Sequence, residues 1–174
     1  MEPTSLKLVH APYYDAYLSL LKSGHLFSEL DRSANEMNEL VSELNESLLS
    51  FRYADDKWTI SEVILHVIET EMLFNARAIR IAREQKTQII AGFDENHYVA
   101  QTRSTDYSAV DLIKFFSSVR TSTKYLIRSM TEDQRKKVGE ASGHKVSVDA
   151  LFFITAGHTL HHVNVIRNKY LSKI

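Results

Sequence analysis

His158 and His162 stand four residues apart in the carboxy-terminal part of this 174-residue chain. On a helical wheel Val148, Leu151, Thr155, His158, His162 and Ile166 share one stripe, so both imidazoles sit in the middle of an apolar face. A spacing of four puts the two rings one turn apart on the same side, which lets two imidazoles share one metal ion. The competing reading is a pair of core histidines satisfied by hydrogen bonds. Two imidazoles hold a metal weakly, so a third ligand has to come from another helix. His66 is the candidate, at the edge of an apolar stripe beside Val63, Thr70 and Arg77. Glu71 falls on the inward half of the same wheel and is placed to orient a ligand or complete the coordination, with a solvated or paired carboxylate as its alternative. His161 lies off the stripe and reads as a rim residue without direct metal contact. His97 reads as a lid residue or a solvent-exposed one, and His10, His25 and His144 show no partner pattern. Three neutral imidazoles leave a coordination position open, as catalytic sites do and closed structural sites do not.

Rival chemistries lack their motifs. No Glu-x-x-His occurs, as a di-iron bundle needs, and no His-Glu-x-x-His, as a zinc protease needs. With no cysteine there are no disulfides, thiolate metal sites or protein-borne sulfur nucleophile. A metal must therefore be held by His, Asp or Glu, and sulfur chemistry needs a thiol from outside, whose proton a bound cation makes easier to lose. The same open position also suits water activation for hydrolysis, and a non-enzymatic metal-binding or stress-response interaction protein is a third reading. Lys and Arg number 21 against 22 Asp and Glu, which gives no global attraction to nucleic acid or an anionic membrane. No window of about 18 apolar residues occurs, and Met1 to Tyr17 has no basic cluster leading into an apolar run. The expectation is a soluble cytoplasmic protein of one domain.

Five glycines and two prolines are too few for a many-stranded sheet, and no strand pattern of any strength is visible. Apolar residues at threes and fours predict a first helix over Leu26 to Leu49. Thr59 with Glu62 reads as a capping box, with Trp58 stapled onto Val63, and starts a second helix of about 26 residues, roughly 39 Å, that ends before Arg83 to Gln88. Ile89 to Asp106 reads as a long loop, where Glu95, Asn96 and Tyr98, with Arg77 or Arg80 of the second helix, are candidate substrate contacts against the plainer reading of loop packing and surface pairing. Ser108 and Asp111 cap a third helix running to Met130, Thr131 and Gln134 suggest a short extra turn, and Gly139 to Gly143 form a break. Ser147, with Val146 stapled onto Leu151, starts a fourth helix that reaches Leu171. Four long amphipathic helices pack most naturally as an all-α antiparallel bundle, with the first twenty residues, including Tyr13, Tyr14 and Tyr17, wrapped around it.

Lys57-Trp58-Thr59 through His66, and Gly157-His158-Thr159-Leu160-His161-His162, resemble the DinB/YfiT-like superfamily of bacterial metal-binding four-helix bundles. The resemblance spans about Phe51 to Leu171, and takes in Ala91 to Val99 and Gly143 to Val148, which look like one subgroup without assigned activity. It implies an up-down-down-up four-helix bundle with a long crossover, a three-histidine site on His66, His158 and His162, and a divalent ion such as zinc, nickel or manganese. It also implies a homodimer and, from the better-understood members, transfer of a low-molecular-weight thiol to a small electrophile or thiol-assisted isomerisation. No thiol-binding signature is matched in this chain.

Overall fold

The computed structural model describes residues 8–173; whatever of the expected amino-terminal wrap falls on residues 1–7 lies outside them. Four long helices carry the fold: α1 (Leu26–Ser42), α2 (Ile60–Arg83), α3 (Ala109–Arg128) and α4 (Val148–Val165). The caps read from the sequence form as hydrogen bonds. Thr59 Oγ1 accepts from the Glu62 amide at 3.2 Å while Glu62 Oε2 accepts from the Thr59 amide at 2.7 Å, and Ser108 with Asp111, and Thr131 with Gln134, do the same. The 24 residues of α2 extend roughly 36 Å. The first helix is shorter than periodicity alone predicts: it stops at Ser42, and Asn45 caps a separate turn, Glu46–Leu49.

Chain direction follows from which ends meet. Ser61 at the start of α2 shares a pocket wall with Ser108 and Asp111 at the start of α3, so those helices run parallel. Glu46 and Leu49, just past α1, line the same pocket, so α1 runs the other way. Ile89 and Ile90, just past α2, pair with the strand that follows α3 and leads back to α4. The result is up-down-down-up. Its crossover is not a bare loop: it holds β1 (Ile89–Ile90), a helix Glu95–Ala100 capped by Asp94, and a turn at Ser104–Asp106.

The expectation of no strands is corrected. β1 pairs in parallel with β2 (Val138–Ala141), which forms an antiparallel hairpin with β3 (His144–Ser147). The hairpin turns on Ser142 and Gly143, both with positive φ (53° and 77°), the two-residue geometry whose twist suits adjacent strands. At two to four residues a strand, the alternation is too brief to stand out.

Helix α4 also departs from expectation. From Val148 to Leu160 every residue is buried, so it is a central helix covered on all sides, not a striped surface one. Gly157 explains one side of the cover. A Cβ there would lie 2.4 Å from the Tyr17 carbonyl oxygen and 2.7 Å from its carbon, so only glycine lets the turn Asp15–Leu18 lie on α4. Gly157→Ala gains up to about 1 kcal/mol of helix propensity but overpacks backbone atoms that cannot swing away, at a cost of about 1–3 kcal/mol. Thermal unfolding of this variant should move several degrees down; a rise would mean that the Tyr17 turn does not rest on α4.

The apolar core is divided in two. One cluster gathers Leu30, Phe74, Ala78 and Ile127 around the first half of α4, and the other gathers Met37, Ile64, Ile68, Phe116 and Val163. Between them lies a buried polar layer contributed by all four helices: Ser33, Glu71, Arg120 with Thr123, and Thr159. Arg120 donates from Nε to Glu71 Oε1 at 2.9 Å and from Nη2 to Oε2 at 2.9 Å. It also reaches the Leu30 carbonyl, Ser33 Oγ and Thr159 Oγ1, while Thr123 donates to Glu71 Oε1 at 2.6 Å.

Candidate metal centre

The antiparallel contact of α2 and α4 brings His66 to the height of His158 and His162. Their ligand atoms all lie within 4.8 Å of one another. His158 Nε2 is 3.2 Å from His66 Nε2 and 3.1 Å from His162 Nε2. Metal–nitrogen bonds of about 2.0–2.1 Å around a tetrahedral ion put neighbouring donors roughly 3.3 Å apart, so the spacing fits. Hydrogen bonding alone fits less well. His158 Nε2 carries either one proton or one lone pair, and it faces two other ring nitrogens at once. A cation among the three nitrogens engages every lone pair.

Burial keeps the three imidazoles neutral. It pushes His66 down to about 4, aided by the charge of His161, and holds His158 and His162 well below the ordinary imidazole range, with the neighbouring imidazoles adding to the effect. Trp58 stands over the His66 ring at 5.0 Å, and Tyr17 meets the His158 ring edge-on at 5.3 Å. A stability consequence follows for the metal-free protein. Between pH 6.5 and 4 the unfolded chain binds protons that folded imidazoles refuse, so stability is intact above 6.5 and falls as pH drops toward 4. For His66 alone the change from 6.5 to about 4 corresponds to about 3 kcal/mol. Urea unfolding of chelator-treated protein across this window should show the fall, with a smaller slope in His66→Gln; a flat profile would contradict it.

The other candidate residues are distributed differently. Glu71 does not join the histidine group, because both its oxygens are engaged by Arg120 and Thr123. His161 is partly exposed, with its ring 5.0 Å from that of His162. Arg77 is buried and, with Glu95, lines a cavity of about 280 Å³ that reaches His158; Tyr13, Tyr14, Tyr17, Thr70, Phe74, Phe93 and Ser142 complete the wall. Asn96 is exposed and is not part of this wall. Tyr98 lines a separate, more apolar groove with Glu69, Met72 and Leu73. Arg80 and His97 are exposed. From the sequence, Arg120 and Phe93 receive no role, and Thr70 is named only as a neighbour of His66 on the wheel. Arg120 and Thr123, four and seven residues after Phe116, fall on an otherwise apolar stripe, and that was the available signal.

No helix among the described residues is long and apolar enough to cross a membrane. A candidate metal-dependent hydrolase of Oceanobacillus iheyensis is 23% identical over 137 residues, covering 78% of either chain. Another, of Bacillus licheniformis, is 21% identical over 137 residues, covering 78% of this chain and 77% of that one. Among solved structures, YfiT from Bacillus subtilis, described as a metal-dependent hydrolase candidate with an unusual four-helix bundle topology, superposes with a TM-score of 0.74 at 17% identity over 95% of this chain and 90% of its own. A mycothiol-dependent maleylpyruvate isomerase superposes with a TM-score of 0.66 at 13% identity, covering 84% of this chain and 61% of that one. At these identities the two superpositions show the shared fold. Residues 29–166 match the sequence model of the DinB superfamily, and the chain belongs to that family.

Proposed function

We propose that this chain is a metal-dependent enzyme in which His66, His158 and His162 hold one divalent ion, zinc, nickel or manganese, and that it transfers a low-molecular-weight thiol to a small electrophile. The observation that carries the reading is the convergence of three Nε2 atoms beside a cavity of small-molecule size. When bound, the ion supplies Lewis acidity and lowers the pKa of a thiol or water. The aromatic side chains of Tyr14, Tyr17, Phe74 and Phe93 line the cavity and displace water from around the reactants. Glu95 is an exposed member of that wall whose carboxyl is pushed up by partial desolvation and by the neighbouring Asp94, and in this reading it takes a proton. In the transfer the sulfur–carbon bond forms as the leaving group departs, and the thiol proton passes to Glu95 or solvent. The absence of cysteine and the thiol dependence of the isomerase with a similar fold support this reading. We take the protein to act as a cytoplasmic homodimer on small molecules, with neither nucleic acid nor membrane as partner.

Glu95 also favours a second reading, in which it serves as the base for water in a metal-dependent hydrolysis, the activity named for the two bacillar relatives. One assay separates the two. Loss of thiol is followed with chlorodinitrobenzene or monochlorobimane, using bacillithiol, mycothiol, coenzyme A, glutathione or cysteine, for metal-loaded protein and His158→Ala. The expected outcome is a rate at least about tenfold higher for the wild type with one thiol. Equal rates with every thiol, with metal-dependent ester or amide turnover, favour the hydrolase. No metal-dependent turnover in either assay favours an interaction protein.

A further inference from the structure

The polar layer shows what a buried arginine needs in this fold. Arg120 meets a carboxylate through two nitrogens and three further oxygens through its remaining donors. Arg77 is 5% exposed, yet among the described residues it forms no ion pair. Its hydrogen bonds, to the Ala91 carbonyl and Ser142 Oγ, both run from Nη2 and both are long at 3.3 Å. The guanidinium is held between the rings of Phe74 and Phe93, 5.7 and 5.6 Å from their centroids. Glu95 shares the cavity wall without pairing with it. A second polar group on the same wall is also unmatched: Thr70 Oγ1, on a side chain 3% exposed, has no partner among the described residues.

His66, Thr70, Phe74 and Arg77 follow one another at spacings of four, four and three, so they lie along one face of α2. Helical side chains lean toward the helix amino terminus, which here is the histidine end. The geometry points to an anion subsite: Arg77, assisted by the Thr70 hydroxyl, receives a carboxylate on the small molecule whose other end reaches the three histidines. The aromatic walls suit a planar, unsaturated or aromatic body between the two ends. As a statement about substrate class this rests on the enzymatic reading above, and the carboxylate belongs either to the electrophile or to the thiol.

Calorimetric titration of the full chain, metal-loaded and chelator-treated, tests it with two matched pairs: cinnamate against cinnamamide for the electrophile, and N-acetylcysteine against its amide for the thiol. At least one acid should bind about tenfold more tightly than its amide, as a charge-assisted bidentate contact implies, and the pair that shows the preference identifies the source. Arg77→Gln should erase the preference, and Arg77→Lys should restore only part of it. Thr70→Val removes a hydroxyl that bonds nothing among the described residues, so it should leave the melting temperature unchanged and weaken acid binding about threefold. Equal binding of acid and amide in both pairs overturns the subsite, as does a preference that survives Arg77→Gln. If Arg77→Gln does not fold, unchanged acid affinity in Thr70→Val overturns it. A preference that vanishes on chelation places the carboxylate on the ion and overturns it too. A preference that persists in protein without metal-dependent turnover supports the subsite while sinking the enzymatic reading.

Discussion

Replacing His158 by alanine should lower divalent-metal affinity by more than about 100-fold, beyond the 10–100-fold typical of losing a residue that only orients a ligand. His158 Nε2 is the atom that faces both other ring nitrogens, so its removal leaves only two imidazoles, on different helices. His162→Ala should lose nearly as much. His161→Ala should lose less than about tenfold, because its ring lies outside the three-member group. Competition with a chromophoric chelator measures all three. Equal losses would make His161 a ligand, and wild-type protein holding less than roughly a tenth of an equivalent after reloading with zinc, nickel or manganese would remove the site altogether.

The largest stability effect should come from a residue that touches no substrate. Glu71→Ala leaves the Arg120 guanidinium buried among four helices without its carboxylate. Breaking a buried pair from one side costs about 3–5 kcal/mol, a large part of the 5–15 kcal/mol that holds a typical domain together. A fall in melting temperature on the order of 10 °C is expected. The double variant Glu71→Leu with Arg120→Met should recover much of it, since an apolar pair of similar volume carries no desolvated charge. If Glu71→Ala melts within a degree or two of wild type, the layer is not a structural tie. Thr159 accepts a hydrogen bond from Arg120 and directly follows His158 on α4, so the single variant should also weaken metal binding, and the double variant should only partly restore it.

The elements legible beforehand are those whose cause lies within a few residues. Capping pairs such as Thr59 with Glu62 are three apart, and a cap satisfies amides of its own first turn. The apolar periods of α2 and α3 likewise follow from 3.6 residues per turn. Ile89 to Asp106 is legible in the sequence only as a connection, because the two residues of β1 pair with residues 51 positions later. For the same reason Glu71 reads on a wheel as an available carboxylate, although Arg120 engages it from another helix.

The family motif and the four-residue spacing of His158 and His162 therefore belong to the sequence by itself, since two rings on one helix face need no partner to be aligned. Only the tertiary structure decided that α2 crosses α4 at the height that brings His66 within 3.2 Å of His158. It also decided that Arg120 takes Glu71 away from the centre, and that the Tyr17 turn rests on Gly157 to close one side of the cavity. These are contacts between segments 49 to 140 positions apart, set by how whole helices pack and by which buried charge finds which partner, and no local period encodes them.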